Sequence, residues 1–398
     1  MISKQQAPQI RFIGFSDDWV QRELGHIAQF SKGSGYSKAD LRVEGSPIIL
    51  YGRLYTKYQT VIDKVDTFVD EKVNSIKSQG NEVIVPASGE TAEDIARASA
   101  VKQKGIILGG DLNIVRLNDS YSPTFIALKI SHGKSKSELA KKAQGKSVVH
   151  IRNSDLQSLL LKIPTFKEQT DIGNLFQNID QTIALQRRKH EQTQTLKKSL
   201  LSKMFPQKGQ SQPEIRLKGF SGDWVEVKLG NVLLIRSMSV DSDDFDVDIE
   251  LENIESETGI IIGNTSVRTQ ANSYFARGDV LFGRLRPYLK KWWLADVEGV
   301  KSGEIWAFYS ELIESEFIYA LVQTNAFLNA TNVSSGSKMP RADWSSMAKV
   351  KVFIPNSKKE QTAIGQFFKQ LDDTISLQAK QLKTLENLKK ALLAKMFV

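Results

Sequence analysis

Apolar residues recur at alternating steps of four and three along two stretches of this chain, as Ile172, Phe176, Ile179 and Ile183 in one and Ile364, Phe368, Leu371 and Ile375 in the other. That spacing is the period of a coiled-coil seam, and it predicts one long helix over residues 167–205 and another over 359–397. No proline interrupts either stretch, and each starts on a capping box, Thr165-x-x-Glu168 or Ser357-x-x-Glu360, just after Pro164 or Pro355. At 1.5 Å per residue each makes a rod of roughly 58 Å, too polar on its outer faces to cross a membrane. The two stretches are one sequence written twice. At an offset of 192, 20 of 39 positions are identical, through the closing Lys203-Met204-Phe205 and Lys395-Met396-Phe397. Each rod therefore has its own copy as a natural partner, packed antiparallel about a pseudo-dyad. The residues expected on the seam or against a partner are Ile172, Phe176, Ile179, Ile183, Leu196 and Leu200, with Ile364, Phe368, Leu371, Ile375, Leu388 and Leu392 in the second copy. Gln186, aligned with Gln378, falls on the seam beside His190 and Thr193, so the middle of the pair is its least apolar layer.

A second repeat opens each half. Pro8 to Ile27 matches Pro213 to Val232 at an offset of 205, with 11 of 20 identities that include Gly-Phe-Ser-x-Asp-Trp-Val at 14–20 and 219–225. Trp19 and Trp224 read as anchors that dock this lead-in segment. Residues 28–150 and 233–335 show no such match. They contain short apolar runs rich in β-formers, at 46–51, 82–86, 106–109 and 113–117 and again at 278–289 and 303–309, with few and short helices, 91–99 and 315–328 foremost. The alignment returns over Gly145 to Pro164 and Gly336 to Pro355, and Pro206 to Pro213 is a polar, proline-flanked linker. The expected fold class is α+β. Two mixed globular domains, 1–166 and 214–357, are separated by two long helices, 167–205 and 358–398, forming an antiparallel coiled coil, with the linker at 206–213 and the half chain as repeat unit.

Composition narrows the function classes. The 398 residues include no cysteine, which removes thiol catalysis, disulfides and cysteine metal sites, and four scattered histidines leave no expectation of a metal centre. The lack of a long apolar run and of a signal-like N-terminus leads to the expectation of a cytoplasmic protein without a membrane contact. A net charge of +9 suggests a polyanionic partner, but its distribution is uneven: residues 28–150 carry +5, residues 232–338 carry −7, and the two helical stretches together carry +7. Runs such as Arg187-Arg188-Lys189 read first as the solvated face of a coiled coil.

Catalytic patterns are missing. No Pro-Pro pair offers the loop with which adenine methyltransferases grip a flipped base, and no Pro-Asp begins a nuclease carboxylate motif. Gly145-Lys146-Ser147 resembles the end of a P-loop, but Ala140 stands where its first glycine belongs and Val148-Val149 reads as strand. The acidic run from Asp241 to Glu257 lacks the turn glycine of a calcium loop. Binding is better supported. Gly283 to Trp293 interleaves Arg284, Arg286, Lys290 and Lys291 with Tyr288 and two tryptophans in an acidic half, as expected where Arg forks read guanine edges and Lys meets phosphate. In the competing reading Leu285, Tyr288 and Trp292 are core and the charges form a solvent face. Lys338 and Arg341 follow on a loop. In the first half Tyr51, Arg53, Tyr58, Ser88, Thr91, Lys134, Lys136 and Lys146 stand near expected turns with groups suited to bases or phosphates.

Two unlike domains, each followed by a near-identical long helix, resemble the specificity subunit of type I restriction-modification systems over essentially the whole chain. The resemblance is carried by the duplicated Lys-Glu-Gln-Thr-x-Ile-Gly and Leu-Lys-Lys-x-Leu-Leu-x-Lys-Met-Phe, by Gly278-Asp-Val-Leu-Phe, and by the phrases at 88–95, 109–113 and 337–343. It implies two target recognition domains, each reading half of a bipartite site in double-stranded DNA, with the helices as spacer and as platform for two modification (methyltransferase) subunits. Restriction subunits are the further implied partners. No cofactor is expected on this chain: S-adenosylmethionine, ATP and Mg²⁺, and with them methylation, translocation and cleavage, belong to the partner chains. The alternative is a non-catalytic coiled-coil adaptor that binds proteins through its two globular ends, for which the −7 of the second domain is the best argument.

Overall fold

The computed structural model describes residues 8–33, 35–207, 209–266, 272–331 and 339–397. They form two compact units: one follows the chain as far as Ala184 and regains it at Lys383, and the other is Leu185–Leu382. The division cuts both long helices, Phe166–Lys203 and Lys358–Met396, rather than falling at their ends. Each unit therefore holds a globular part, the first half of the helix that follows it and the second half of the other helix.

In the first unit a ribbon of Val20–Glu23 against Leu160–Ile163 opens and closes the globular part, with Val20 opposite Ile163. Inside it a five-stranded sheet runs in the order Ala28–Lys32, Leu112–Leu117, Glu82–Pro86, Ser99–Val101, Val61–Ile62, antiparallel except for the last pair. Alternate side chains serve different cores, as the period of two requires: Val83, Val85 and Val115 join the main core beneath the helix Pro123–Ser131, while Ile84 and Ile114 join a smaller one with Ile49, Leu54 and Leu108. That helix is not among those the sequence suggests. It is buried from Phe125 to Ser131, so no polar face marks a helical period; its only signals are the Ser122 cap, which accepts from the Phe125 N–H, and Pro123 in the first turn.

The second unit repeats the ribbon as Val225–Lys228 against Lys351–Ile354, with Val225 opposite Ile354. Its main sheet runs Leu234–Ile235, Ile305–Tyr309, Val280–Gly283, Trp292–Leu294, all antiparallel. Those four strands follow the order of the first four in the other unit. The filling, which shows no repeat in sequence, therefore repeats in topology. The units differ in what is added: a fifth strand and a four-stranded sheet in the first, a three-stranded sheet of Asp248–Ile249, Gly299–Lys301 and Ser273–Phe275 in the second.

Each core is closed by the phenylalanine that ends the other long helix. In the first unit Phe397 packs at 5.8 Å from both Phe125 and Phe176, and Trp19 meets Phe125 edge-on at 5.6 Å. In the second, Phe205 lies 5.6 Å from Phe317, 6.1 Å from Phe368 and 5.9 Å from Trp224. The lead-in tryptophans are anchors, as expected. Space for these contacts requires glycine: a Cβ on Gly133, which has φ of +62°, would lie 1.7 Å from the Phe397 carbonyl oxygen, and one on Gly365 would lie 2.3 Å from the Glu316 backbone.

The duplicated Lys-Glu-Gln-Thr is explained by the same frame. The capping box is only half formed: Thr165 and Ser357 accept from the Glu168 and Glu360 N–H, but both glutamates turn away to take a two-pronged fork from the lead-in arginine. Arg11 donates to Glu168 at 2.6 and 2.7 Å, and Arg216 to Glu360 at 2.7 and 2.8 Å. Gln169 and Gln361 each accept from the backbone N–H of a residue leading into the buried helix, Ser122 or Glu314, and donate back to Pro164 or Pro355.

Within each unit the helix segments pair antiparallel. Asp180 meets Lys389 in the first, and Asp372 meets Lys197 and Gln378 meets Thr193 in the second. Ile172, Phe176, Ile183, Ile364, Phe368 and Ile375 are buried, and Ile179, Leu200, Leu371 and Leu392 are half-buried. Leu196 and Leu388 are not on the seam: they stand 51% and 49% exposed. The alternation of four and three runs from Thr193 to Lys197 and Leu200, and from Leu385 to Lys389 and Leu392, so the apolar neighbour one residue early faces out and a lysine takes its place.

Truncating the closing aromatic should unlock one unit at a time. Phe397→Ala should destabilise the first unit by about 3–5 kcal/mol, seen as loss of amide-exchange protection at Phe125–Ser131 with the second unit unchanged, and Phe205→Ala should do the reverse. Gln9 N–H donates to the Lys395 carbonyl at 3.0 Å, as Ile215 donates to Lys203 at 2.9 Å. A chain joined across its ends and reopened near Gly209 should therefore fold with an unchanged far-UV spectrum and a cooperative transition.

Candidate nucleic-acid interface

In the second unit the basic, aromatic stretch forms a hairpin tip. Val280–Gly283 and Trp292–Leu294 are its arms, and between them Pro287–Leu289 makes one 3-10 turn flanked by two left-handed residues that are not glycine, Arg286 (φ 49°) and Lys290 (φ 51°). Such residues cost roughly 1–2 kcal/mol apiece unless their surroundings hold them. The surroundings do: Lys290 binds Glu257 and Lys291 donates to the Leu251 carbonyl at 2.8 Å. The Arg286 N–H donates to the Pro340 carbonyl at 2.7 Å and the Ala342 N–H to the Arg284 carbonyl at 2.8 Å, so the tip is tied to the loop that carries Arg341.

Side chains at this tip divide into those that build it and those it presents. Arg284 lies over the Trp306 ring at 5.5 Å, and Arg341 forks onto Glu304, which holds that carboxylate below its usual range. Trp292 is core, Leu285 is half-buried, and Tyr288 is 55% exposed, so the competing reading holds for the tryptophan and fails for the tyrosine. Arg286 is exposed and its guanidinium has no ion pair among the described residues. A rigid tip thus offers one planar cation and one aromatic face, with Met339 exposed beside them. Lys338 lies outside the described residues.

The first unit gathers Tyr51, Tyr58, Ser88 and Thr91 around two residues that sequence reasoning missed, Tyr55 and Arg97. The Arg97 guanidinium lies 4.9 Å from the Tyr55 ring and 5.9 Å from that of Tyr58, and it binds Asp94, which in turn accepts from the Thr91 hydroxyl. Tyr55 donates to the Ser88 carbonyl at 2.8 Å, and burial pushes its phenol up to about 12. Tyr58 donates to Ala98 and Ser131, its phenol likewise raised by burial, and Ser88 Oγ is 3.1 Å from His150 Nδ1. Arg53 is held by Asp66 at 2.7 Å and by Gln59. The outward members are therefore Tyr51 and Thr91. Lys134 and Lys136 sit apart from this cluster on the helix Gly133–Lys142, and Lys146 follows it; Lys134 and Lys146 are exposed. The signal that would have found Tyr55 and Arg97 is weak: Tyr51-x-x-x-Tyr55 is a one-turn spacing, and nothing in the sequence joins it to Arg97.

Among the described residues no group of three acidic or histidine side chains is placed to hold a metal, and no helix is long and apolar enough to cross a membrane. The model of the type I restriction modification DNA specificity domain matches this chain twice, over residues 16–195 and 222–387. The chain belongs to that family. Its two matches coincide with the two copies of the frame, each running from the lead-in segment into a long helix. Among specificity subunits, this one is 24% identical to that of the EcoDI restriction enzyme of Escherichia coli over 296 residues, 65% of this chain and 66% of that one. It is 22% identical to the MjaVIII specificity subunit of Methanocaldococcus jannaschii over 407 aligned positions, 95% and 91% of the two chains. The fold matches the crystal structure of a type I system S subunit from M. genitalium, with a TM-score of 0.64 at 16% identity over 98% of this chain and 99% of that one. A chain from a structural study of type I complex assembly and conformational transition aligns at 0.51, also at 16% identity, over 95% and 97% of the two chains.

Arg286→Ala and Tyr288→Ala should each weaken binding to a DNA duplex carrying the recognised site by about 1–3 kcal/mol while leaving the thermal midpoint unchanged, since neither side chain supports the fold. Arg341→Ala should lower the midpoint as well, because it strands Glu304. Titration of fluorescent duplex against each variant, beside a melting curve, separates the two classes.

Proposed function

We propose that this specificity subunit reads a bipartite site in double-stranded DNA, one half-site by each unit, and that it carries no catalysis of its own. The single observation that carries the reading is a frame built twice, with the same ribbon, Arg–Glu fork and closing phenylalanine, around two different surfaces. A scaffold repeated so closely around unlike fillings suits a protein whose halves do the same task on different targets. The Arg286–Tyr288 tip suits base-edge and stacking contacts, and the exposed Lys134 and Lys146 suit phosphates. Methylation from S-adenosylmethionine and any ATP- and Mg²⁺-dependent cleavage belong to two modification subunits and to restriction subunits, in the cytoplasm. On this reading the long helices space the half-sites.

Exchanging residues 28–150 for the matching segment of another specificity subunit should change one half of the methylated sequence and leave the other half intact. Mapping methylated adenines in cells carrying the exchange tests this, and a change in both halves sinks the modular reading. One heptad inserted into both helices, after Arg188 and Lys380, keeps the seam in phase and adds about 10 Å, near three base pairs. It should lengthen the unread spacer only, and an unchanged spacer would show that the helices do not measure DNA. DNA affinity should fall steeply between 50 and 200 mM salt as phosphate contacts are screened, whereas a protein adaptor would show no salt-dependent binding to added duplex.

A further inference from the structure

The second unit holds a cavity of about 310 Å³, the size class of small-molecule sites, between its segment of the first long helix and the base of the hairpin tip. The repeat puts a cleft at the same place in the first unit. Its helix residues between Glu386 and Ala394 are, one for one, the counterparts of those between Gln194 and Ser202 at the offset of 192. A cleft beside the rod is therefore part of the frame, and the two units differ in how they furnish it. The first lines its globular side with His132 and Gly133, and burial pushes that imidazole down to about 4, which leaves it uncharged at physiological pH.

The second is furnished with hydrogen-bonding groups and with charge. Trp292 Nε1 and Gln323 Oε1 are buried and have no hydrogen-bond partner among the described residues, in side chains only 3% and 4% exposed. Their roles are fixed: an indole N–H can only donate, and Gln323 Nε2 donates to the Tyr319 carbonyl at 2.9 Å, which leaves the amide oxygen as an acceptor. Each such group costs about 1–3 kcal/mol while it is unmet, and the cavity is a space that both residues border. Leu201, Leu328 and Ile375 add apolar wall. At the exposed side Lys198, at 3.5 Å, and Lys290 share the single carboxylate of Glu257, so one cation is in excess. Lys197 does not add to that excess, because it is paired with Asp372, which also accepts from the Tyr319 hydroxyl at 2.7 Å.

We infer that this cavity is a binding site for a nucleoside monophosphate, whose base accepts from Trp292 and donates to Gln323 while its phosphate lies on Lys198 and Lys290. A nucleobase carries a donor and an acceptor on one edge, its flat body suits apolar walls, and the phosphate matches the excess of cation. Inorganic phosphate alone would leave the buried donor and acceptor unmet, and an apolar molecule would leave both ends unmet. Lys290 is also one of the two left-handed residues beside the Arg286–Tyr288 tip, so a phosphate here would draw on the lysine that Glu257 holds at the base of that tip.

The test uses the full chain with its six tryptophans isotopically labelled at the indole nitrogen, the Trp292 signal being identified by its loss in Trp292→Phe. AMP, GMP, CMP and UMP are titrated in turn to millimolar concentration, beside their nucleosides and inorganic phosphate. At least one monophosphate should bind once per chain by calorimetry and move the Trp292 N–H signal downfield, as a new hydrogen bond requires, with the Trp19 signal unmoved. Lys198→Gln, at an exposed position, should weaken that nucleotide about tenfold, the worth of one charge-assisted hydrogen bond, and leave its nucleoside unaffected. Lys390→Gln, at the matched place in the first unit, should change neither. Absence of a Trp292 shift with every monophosphate overturns the inference, as does a shift that inorganic phosphate reproduces or an affinity that Lys198→Gln leaves unchanged. A shift produced by duplex DNA and by no mononucleotide overturns it in favour of DNA as the occupant.

Discussion

Everything in this fold depends on a phenylalanine that belongs to one helix and completes the core at the far end of it. Phe205 and Phe397 each follow a rod that starts in one unit and finishes in the other, and on each converge a buried-helix phenylalanine and a long-helix phenylalanine, with Trp224 packed directly on Phe205 and Trp19 joined to Phe397 through Phe125. The lead-in segment, the ribbon and the Arg–Glu fork all serve to bring those rings together. Loss of one ring costs a core its keystone, whereas loss of an exposed charge on the rods costs almost nothing. That contrast explains why the closing Lys-Met-Phe is identical in the two halves while their middles have drifted.

Much of the frame was legible because duplication makes function-neutral positions visible: what is written twice at one offset is either seam, anchor or contact. The seam itself was legible where apolar residues occupy it and illegible where they do not. Leu196 and Leu388 attract the eye as apolar, but the period passes through Lys197 and Lys389, whose charges are met by Asp372 and Asp180. A buried lysine at a seam position is costly without its partner, and a partner from the other helix cannot be inferred from one helix's pattern. The filling was least legible. Its strands are two to six residues long, too short for a period to declare itself, and the shared strand order becomes visible only when the pairing is known.

The candidate interface shows the same division at the level of single residues. Composition located the basic and aromatic stretches, and could not say which cations are free. Arg53, Lys290, Lys291 and Arg341 each have an internal partner, while Arg286 and Tyr288 are held outward by backbone geometry that no residue type advertises. Left-handed arginine and lysine on either side of one turn are a conformational cost, and the fold meets it with ties to the 251–257 and 340–342 loops. Rigidity of that kind suits a surface that must discriminate rather than adhere.

The closing rings also set an order of events during synthesis. Domains usually complete themselves from the N-terminus onward as the chain emerges. Here the N-terminal unit lacks Phe397 until the second long helix has been made, whereas the second unit draws on nothing after residue 382. The part of the protein begun first thus waits for a segment made after every residue of its twin.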